Sequence, residues 1–265
     1  MDEENKEFVA LKPRNVSVIA PEETGKTKWW IGCSGFSYKH WKETFYPKNV
    51  PQRKWFEYYC EHFNTVELNG TFYRFPRLPY VQGWYDRSPE AFKFSVKAPR
   101  AITHFKQFHD STKFLTDFYG TIREGLKTKL GCVLFQLPPR TCYTEERLQR
   151  ILENLDPSFQ NVLEFRDSSW WTPDVYLALA NAGVIFCGMS HPDLPQKIIH
   201  DAPTLYYRFH GIPYLYKSPY QIPQLEGFVH EVAEGKTTTD AFIYFNNDID
   251  ASAIVNAQQL QSLTA

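Results

Sequence analysis

The sequence predicts an α/β fold, a single parallel eight-stranded (β/α)8 barrel, and three observations carry that prediction. Eight short runs rich in β-branched and aromatic residues recur along the 265-residue chain, most separated by a stretch of helical periodicity. Eight is the number that closes a parallel sheet without an edge, and this length suits one barrel. No G-x-G-x-x-G follows any of the runs, which counts against an open doubly wound sheet, the runner-up.

Met1 to Lys28 carries charges, Pro13 and Pro21 but no apolar stretch, so residues 1–28 are expected to form a flexible extension without a secretory signal, leaving 29–265 as the barrel domain. Trp30–Ser34 is the first strand. An aromatic loop with Trp41, Phe45, Tyr46 and Pro47 leads from it to a helix near Arg53–His62, with Pro51 close to the helix start. Thr65–Asn69 is the second strand, in which Val66 and Leu68 point one way and Glu67 and Asn69 the other before a turn at Gly70. Val81, Trp84 and Tyr85 space a helix within Arg77–Ser88. Phe92–Lys97 then alternates strictly as the third strand. A helix around Thr112–Lys127 precedes the fourth strand, Cys132–Gln136, which Pro138 and Pro139 stop. Thr144 caps a helix to about Leu155, Val162–Arg166 is the fifth strand, and Thr172 caps a helix to Ala182. Val184–Gly188 is the sixth strand, and His191–Pro203 lacks periodicity and reads as loop. Leu205–His210 and Phe242–Asn246 complete the eight, with helices at Gln224–Ala233 and Ala251–Leu263.

Composition narrows the function class. Aromatic residues make up 17%, many of them Tyr and Trp, which pack and hydrogen-bond at once and so suit a wet pocket. A net charge of −1 gives no global field to draw nucleic acid, and no apolar run approaches the roughly 20 residues that span a bilayer. Five cysteines without a C-x-x-C pair argue against a disulfide framework or structural zinc, so a cytoplasmic location is expected.

Active sites of such barrels lie at the carboxyl ends of the strands. Glu67 with Asn69, Ser95 with Lys97, Glu164 with Arg166 and Arg208 with His210 are each two apart, so each pair projects from one face of its strand. Glu67, Glu164, His104 and His210 are the expected acid–base groups. Asn69, Lys97, Gln136, Arg166, Arg208, Asn246 and Asp248, with Tyr73 and Trp170 in adjoining loops, are the expected ligand-binding groups. If two carboxylates pair internally, the remaining cations face an anionic or polyhydroxylated ligand. Ion pairs that merely hold the barrel mouth together are the competing account, and Lys97 is the first partner to expect for Glu67. No ligand-spaced His or carboxylate motif is present and the nearby Arg and Lys would repel a cation, so no metal and no cofactor is assigned. Trp41, Tyr46 and Phe72 are candidates to stack on a base or sugar, or to cover the mouth.

The motifs in order closely resemble the domain of unknown function 72 family of TIM-barrel proteins. Gly32-Cys33-Ser34-Gly35-Phe36-Ser37-Tyr38 opens the resemblance, and Thr65–Tyr73, Phe94–Arg100, Phe135–Pro139, Glu164-Phe165-Arg166, Arg208–Gly211 and Tyr244–Asp248 continue it to about Leu260. The resemblance implies the barrel and leaves the activity unassigned. Cys33 stands where a small hydroxyl residue is expected, and Gly70 after Asn69 is a second departure, expected to loosen the turn. The resulting expectation is a protein, with an activity such as hydrolase, lyase or isomerase, that binds a phosphorylated or otherwise anionic small molecule. A barrel that binds or processes nucleic acid, and a non-catalytic sensor, are the alternatives.

Overall fold

The computed structural model describes residues 27–265, so the expected extension falls outside the described residues except at its end, where Lys28 already belongs to a strand. The order is β1 (Lys28–Cys33), α1 (Trp55–His62), β2 (Thr65–Leu68), α2 (Gly70–Tyr73), α3 (Leu78–Arg87), β3 (Lys93–Lys97) and α4 (Thr112–Leu126). There follow β4 (Leu130–Gln136), α5 (Glu145–Asn154), β5 (Gln160–Glu164), α6 (Pro173–Asn181), β6 (Ile185–Ser190), β7 (Thr204–Phe209), α7 (Ile222–Glu234), β8 (Asp240–Phe245) and α8 (Ser252–Thr264). All the ladders are parallel, and β6 passes to β7 through residues 191–203 without a helix, as the missing periodicity predicts.

Local chemistry sets the helix starts. Thr144 Oγ1 accepts from Arg147 N at 3.2 Å and Thr172 Oγ1 from Val175 N at 3.4 Å, so both caps fall where the sequence places them. Gln224 Oε1 returns to Gln221 N at 2.8 Å and closes a capping box on α7.

Strand parity sorts the core into two. Val66, Leu68, Phe94 and Val96 pack outward among helix residues such as Phe56, Phe118 and Ile122. The inward residues Trp30, Cys132, Leu134, Val162, Ile185, Cys187, Tyr206, Phe242 and Tyr244 fill the barrel itself. Everything polar that faces inward therefore sits on a floor of packed side chains and opens only toward the carboxyl ends.

The backbone ladder runs β1-β8-β7-β6-β5-β4-β3-β2, which leaves β1 and β2 facing one another across a seam without ladder bonds. Side chains bridge it. The buried Tyr59 hydroxyl accepts from Cys33 N at 2.9 Å and donates to Thr65 O at 3.0 Å. Asn64 accepts from Ile31 N at 3.2 Å and donates to Trp29 O at 2.8 Å. At Gly32 a β-carbon would overlap the Thr65 carbonyl oxygen and crowd the Tyr59 hydroxyl, so the strands approach this closely only because that residue has no side chain.

Tyr59→Phe keeps the ring but strands a buried N–H and a buried carbonyl. The expected loss is about 1–3 kcal/mol by urea denaturation. An unchanged midpoint would show that the seam is held by something else.

Candidate functional site

The site rises from the barrel floor in layers. At the lowest, the Tyr244 hydroxyl meets Thr65 Oγ1 at 2.7 Å and Ser95 Oγ at 2.8 Å, while Tyr206 donates to Glu67 Oε2 at 2.7 Å. Above it Arg208 spans the barrel. Its Nη2 donates to Glu67 Oε1 at 2.7 Å and its Nη1 to Glu164 Oε2 at 2.6 Å, with Ser34 Oγ accepting at 3.2 Å and itself donating to Glu67 at 2.8 Å. Arg166 donates from Nε to the second oxygen of Glu164 and from Nη2 to His210 Nε2, 3.0 Å away.

That last contact fixes a proton. A guanidinium can only donate, so His210 Nε2 is an acceptor and the neutral ring carries its hydrogen on Nδ1. The Asn246 amide nitrogen Nδ2 lies 3.1 Å from Nδ1, so for Nδ1 to donate there the amide must be turned to present its oxygen instead. Burial, then the charges of Arg166 and Arg208, hold the imidazolium pKa well below its ordinary value against the opposing pull of Glu164.

Lys97 occupies the upper rim of this network. Its Nζ donates to Gln136 Oε1 at 2.6 Å and lies 4.3 Å from the centre of the Phe72 ring. Thr71 places that ring, because its hydroxyl is within reach of the carbonyls of Leu68 (2.9 Å) and Lys97 (2.6 Å) and so ties α2 to the end of β3. His104 packs on the far side of the network against Phe72, ring centres 5.0 Å apart, and contacts Thr103 Oγ1 through Nδ1 at 2.9 Å. Burial, with the Arg208 charge next, draws the Lys97 ammonium down to about 8 against Glu164 and Glu67. Burial and the Lys97 and Arg100 charges draw His104 down to about 4. Burial alone would raise Glu164, but Arg166 and Arg208 outweigh it and hold the carboxyl well below the usual range.

The structure gathers most of the expected residues and corrects several roles. Glu67 pairs with Arg208 rather than Lys97, since Glu67 lies beside Ser95 in the register and Lys97 stands one step higher, leaning to Gln136 on β4. Arg208 is enclosed and neutralised by two carboxylates, which makes it the strut of the site rather than a grip on ligand. Glu164 likewise has both oxygens occupied by guanidinium donors and is a poor proton acceptor. Asn69 stands past the end of β2 with helical dihedrals, so strand parity does not govern it. Gly70 needs no positive φ, and a side chain there would meet nothing. Trp170 is buried away from the mouth, stacked on Phe165 at 4.0 Å and bonded to Thr141 O at 2.6 Å. Trp41 and Tyr46 are buried too, so neither is free to stack on a ligand. Tyr73 is 66% exposed outside the pocket, with the Arg100 guanidinium 5.7 Å from its ring. Asp248 forms part of the rim, accepting from Trp41 Nε1 at 2.7 Å and meeting His40 Nε2 at 3.1 Å. Burial raises its carboxyl to about 6 in spite of both contacts.

Tyr206 and Tyr244, which hydrogen-bond to Glu67 and to Thr65 and Ser95, are not among the residues expected from the sequence. Both lie two residues before a named polar residue, Arg208 and Asn246, so the same parity would have reached them. Among the described residues no group of three or more His, Cys, Asp or Glu is placed to hold a metal ion. No described helix is long and apolar enough to cross a membrane.

Comparison with known proteins adds the family. The family model described as "Protein of unknown function DUF72" matches residues 30–265. A curated relative, UPF0759 protein YunF of Bacillus subtilis (strain 168), is 26% identical over 269 residues, covering 88% of this chain and 94% of that one. The crystal structure of a DUF72 family protein from Thermotoga maritima MSB8 superposes with a TM-score of 0.80 at 25% identity, covering 89% of this chain and 98% of that one. A second, from Enterococcus faecalis V583, gives 0.74 at 19% identity over 89% and 95% of the two chains, and speaks for the fold alone.

Glu164→Gln keeps the shape of the side chain and removes its charge, leaving two guanidinium groups to share Glu67. The expected cost at pH 7 is about 3–5 kcal/mol. Because the folded carboxyl is held below its unfolded value of about 4.3, its contribution is full above that pH and is lost as pH falls through the lower folded value. Urea midpoints at about pH 7 and pH 3 should therefore differ less in the variant than in the parent chain. Equal differences would remove Glu164 from the acid response.

Proposed function

The chain belongs to the family described as protein of unknown function DUF72, and on that premise we propose that its barrel mouth binds a phosphorylated or carboxylated small molecule through Lys97 and Arg166. One observation carries the reading, the uncompensated positive charge of the site. Around Arg208, Arg166 and Lys97 stand two carboxylates, Glu67 and Glu164, with both histidines neutral, while the third carboxylate of the rim, Asp248, is engaged by His40 and Trp41 and pairs with none of the three cations among the described residues. Arg208 is consumed by the carboxylates. Arg166 uses Nε and Nη2, which leaves Nη1 without a hydrogen bond among the described residues, and Lys97 has a single neutral acceptor. A buried cation without a counter-charge is costly, and an anion supplied by a ligand relieves that cost.

In this reading Gln136 and Asn246 orient the groups that touch the ligand, and Phe72 walls the pocket. His104, whose Nε2 has no partner among the described residues, is the group open to proton exchange with the ligand. A single-stranded nucleic acid is the second reading. Arg100 lies over both Tyr73 and Phe105, and both rings are largely exposed on the rim. The net charge of −1 gives that partner no long-range attraction, so the small anion is preferred.

Sulfate, whose charge is constant across the range, is the probe for calorimetry. As pH rises through about 8 the Lys97 ammonium loses its proton, so sulfate affinity should fall about tenfold between pH 7 and 9.5. Lys97→Met should bind weakly at both pH values and show no inflection, and Arg166→Gln should bind weakly with the inflection retained. Sulfate binding that is unaffected by either change would overturn the assignment.

A further inference from the structure

We propose that Lys97 is a covalent as well as a charged group, one that forms an imine with the carbonyl carbon of an anionic aldehyde or ketone held in the mouth. The proposal deepens the anion-site reading and rests on it, with the anion on Arg166 and the carbonyl directed at Lys97 Nζ.

Geometry singles this lysine out. Among the described residues two lysines, Lys97 and Lys129, are buried, and they are equipped in opposite ways. Lys129 donates to Tyr85 O at 2.6 Å, Ser88 O at 2.8 Å and Ser88 Oγ at 3.0 Å, the three acceptors that a structural ammonium requires. Lys97 has one acceptor, Gln136 Oε1, and no carboxylate within ion-pair distance among the described residues. One N–H held in place and the rest of the nitrogen uncommitted is the arrangement of a positioned amine. Burial disfavours the ammonium, the cation–π contact with the Phe72 ring 4.3 Å away offsets that only in part, and the ring limits the directions from which a ligand can approach.

The charged groups around Lys97 act in both senses, and burial decides the balance toward the neutral amine. Arg208 on β7 and Arg166 after β5 repel its proton, Arg100 and the neutral His104 follow β3, and the attracting carboxylates Glu67 and Glu164 are bound to the arginines. With its pKa near 8, about a quarter of Lys97 is neutral at pH 7.5, against about one part in a thousand for a lysine at about 10.4. A desolvated lysine beside a second cation is an established way to make an amine nucleophilic at neutral pH.

The step balances without an oxidant or reductant. Neutral Nζ attacks the carbonyl carbon, the C–N bond forms as the carbonyl π pair moves to oxygen, and that oxygen takes up a proton released by the nitrogen. The hydroxyl then leaves as water, taking up the nitrogen's second proton while the nitrogen pair forms the C=N bond, so amine plus carbonyl yields imine plus water.

The test incubates the whole protein with glycolaldehyde phosphate or with uncharged glycolaldehyde, each with sodium cyanoborohydride, followed by peptide mass spectrometry. The expected result is a gain of the carbonyl compound less one oxygen at Lys97, formed with the phosphorylated probe at least about tenfold faster than at exposed Lys113 or Lys236, as its larger neutral fraction requires. Lys97→Arg keeps the charge and should give no adduct at that position. Labelling of Lys97 no faster than of the exposed lysines overturns the proposal, and if sulfate still binds, the anion site survives that failure. Equal labelling of Lys97 by both probes would leave a reactive amine but overturn the anion site and, with it, the anionic substrate of the proposal.

Discussion

The barrel depends on a single guanidinium. Arg208 reaches from β7 to Glu67 on β2 and to Glu164 on β5, so three strands, no two of them neighbours in the sheet, are tied through one side chain. Three ions have been taken out of water to do this, each at a cost of several kcal/mol, and only near-ideal geometry returns that cost. The hydrogen bonds supply it. Glu67 also accepts from Tyr206 and Ser34, and Glu164 also accepts from Arg166, so both carboxylates are saturated by donors that rigid strands hold in place.

The same strut explains why the site lies above it. Below Arg208 the barrel is packed with Trp30, Phe242, Leu134 and Val162, and no charge could be tolerated there. Above it the network becomes progressively less satisfied, from the saturated carboxylates, through Arg166 with one nitrogen unused, to Lys97 with one acceptor. The buried Arg208 Nε also lacks a hydrogen-bond partner among the described residues, so unused donors occur at both levels, but only those of Arg166 and Lys97 stand at the mouth. The closure of the barrel at β1 and β2 belongs to the same design. Because Tyr59 and Asn64 bridge the seam, Ser34 and Glu67 stand close enough for a 2.8 Å hydrogen bond across it.

Much of this was legible in the chain. Strand count, helix caps and the loop between β6 and β7 follow from periodicity and local chemistry, parity put Glu67, Lys97, Glu164 and Arg208 in one interior, and Gln136 follows from its place at a strand end. Parity assigns a face, however, and not a reach. Glu67 and Lys97 share a face on adjacent strands, yet the offset of one step along the strand and the length of Arg208 decide that Glu67 meets β7 instead. Asn69 was misplaced because its strand ends at Leu68, and a strand end is not marked in a run that continues as Asn-Gly-Thr. The roles of Tyr59 and Gly32 were invisible for another reason. A seam bridged by side chains has no period, and a glycine required by a neighbouring strand looks in sequence like any other glycine.

What separates the two cations left at the mouth is the freedom to change state. A guanidinium stays charged at any pH the protein would survive, so Arg166 can serve only as a fixed grip. An ammonium on a flexible stem, pressed by burial and by Arg208, lies within reach of neutrality. The two carboxylates that could have restored its charge are committed elsewhere: Glu164 to Arg166 and Arg208, Glu67 to Arg208 and Tyr206. The strut that holds the barrel together thus also withholds the counter-charge from Lys97. On the proposed reading, structure and reactivity at this mouth have one origin, because the arginine takes up the carboxylates that would otherwise hold the lysine charged.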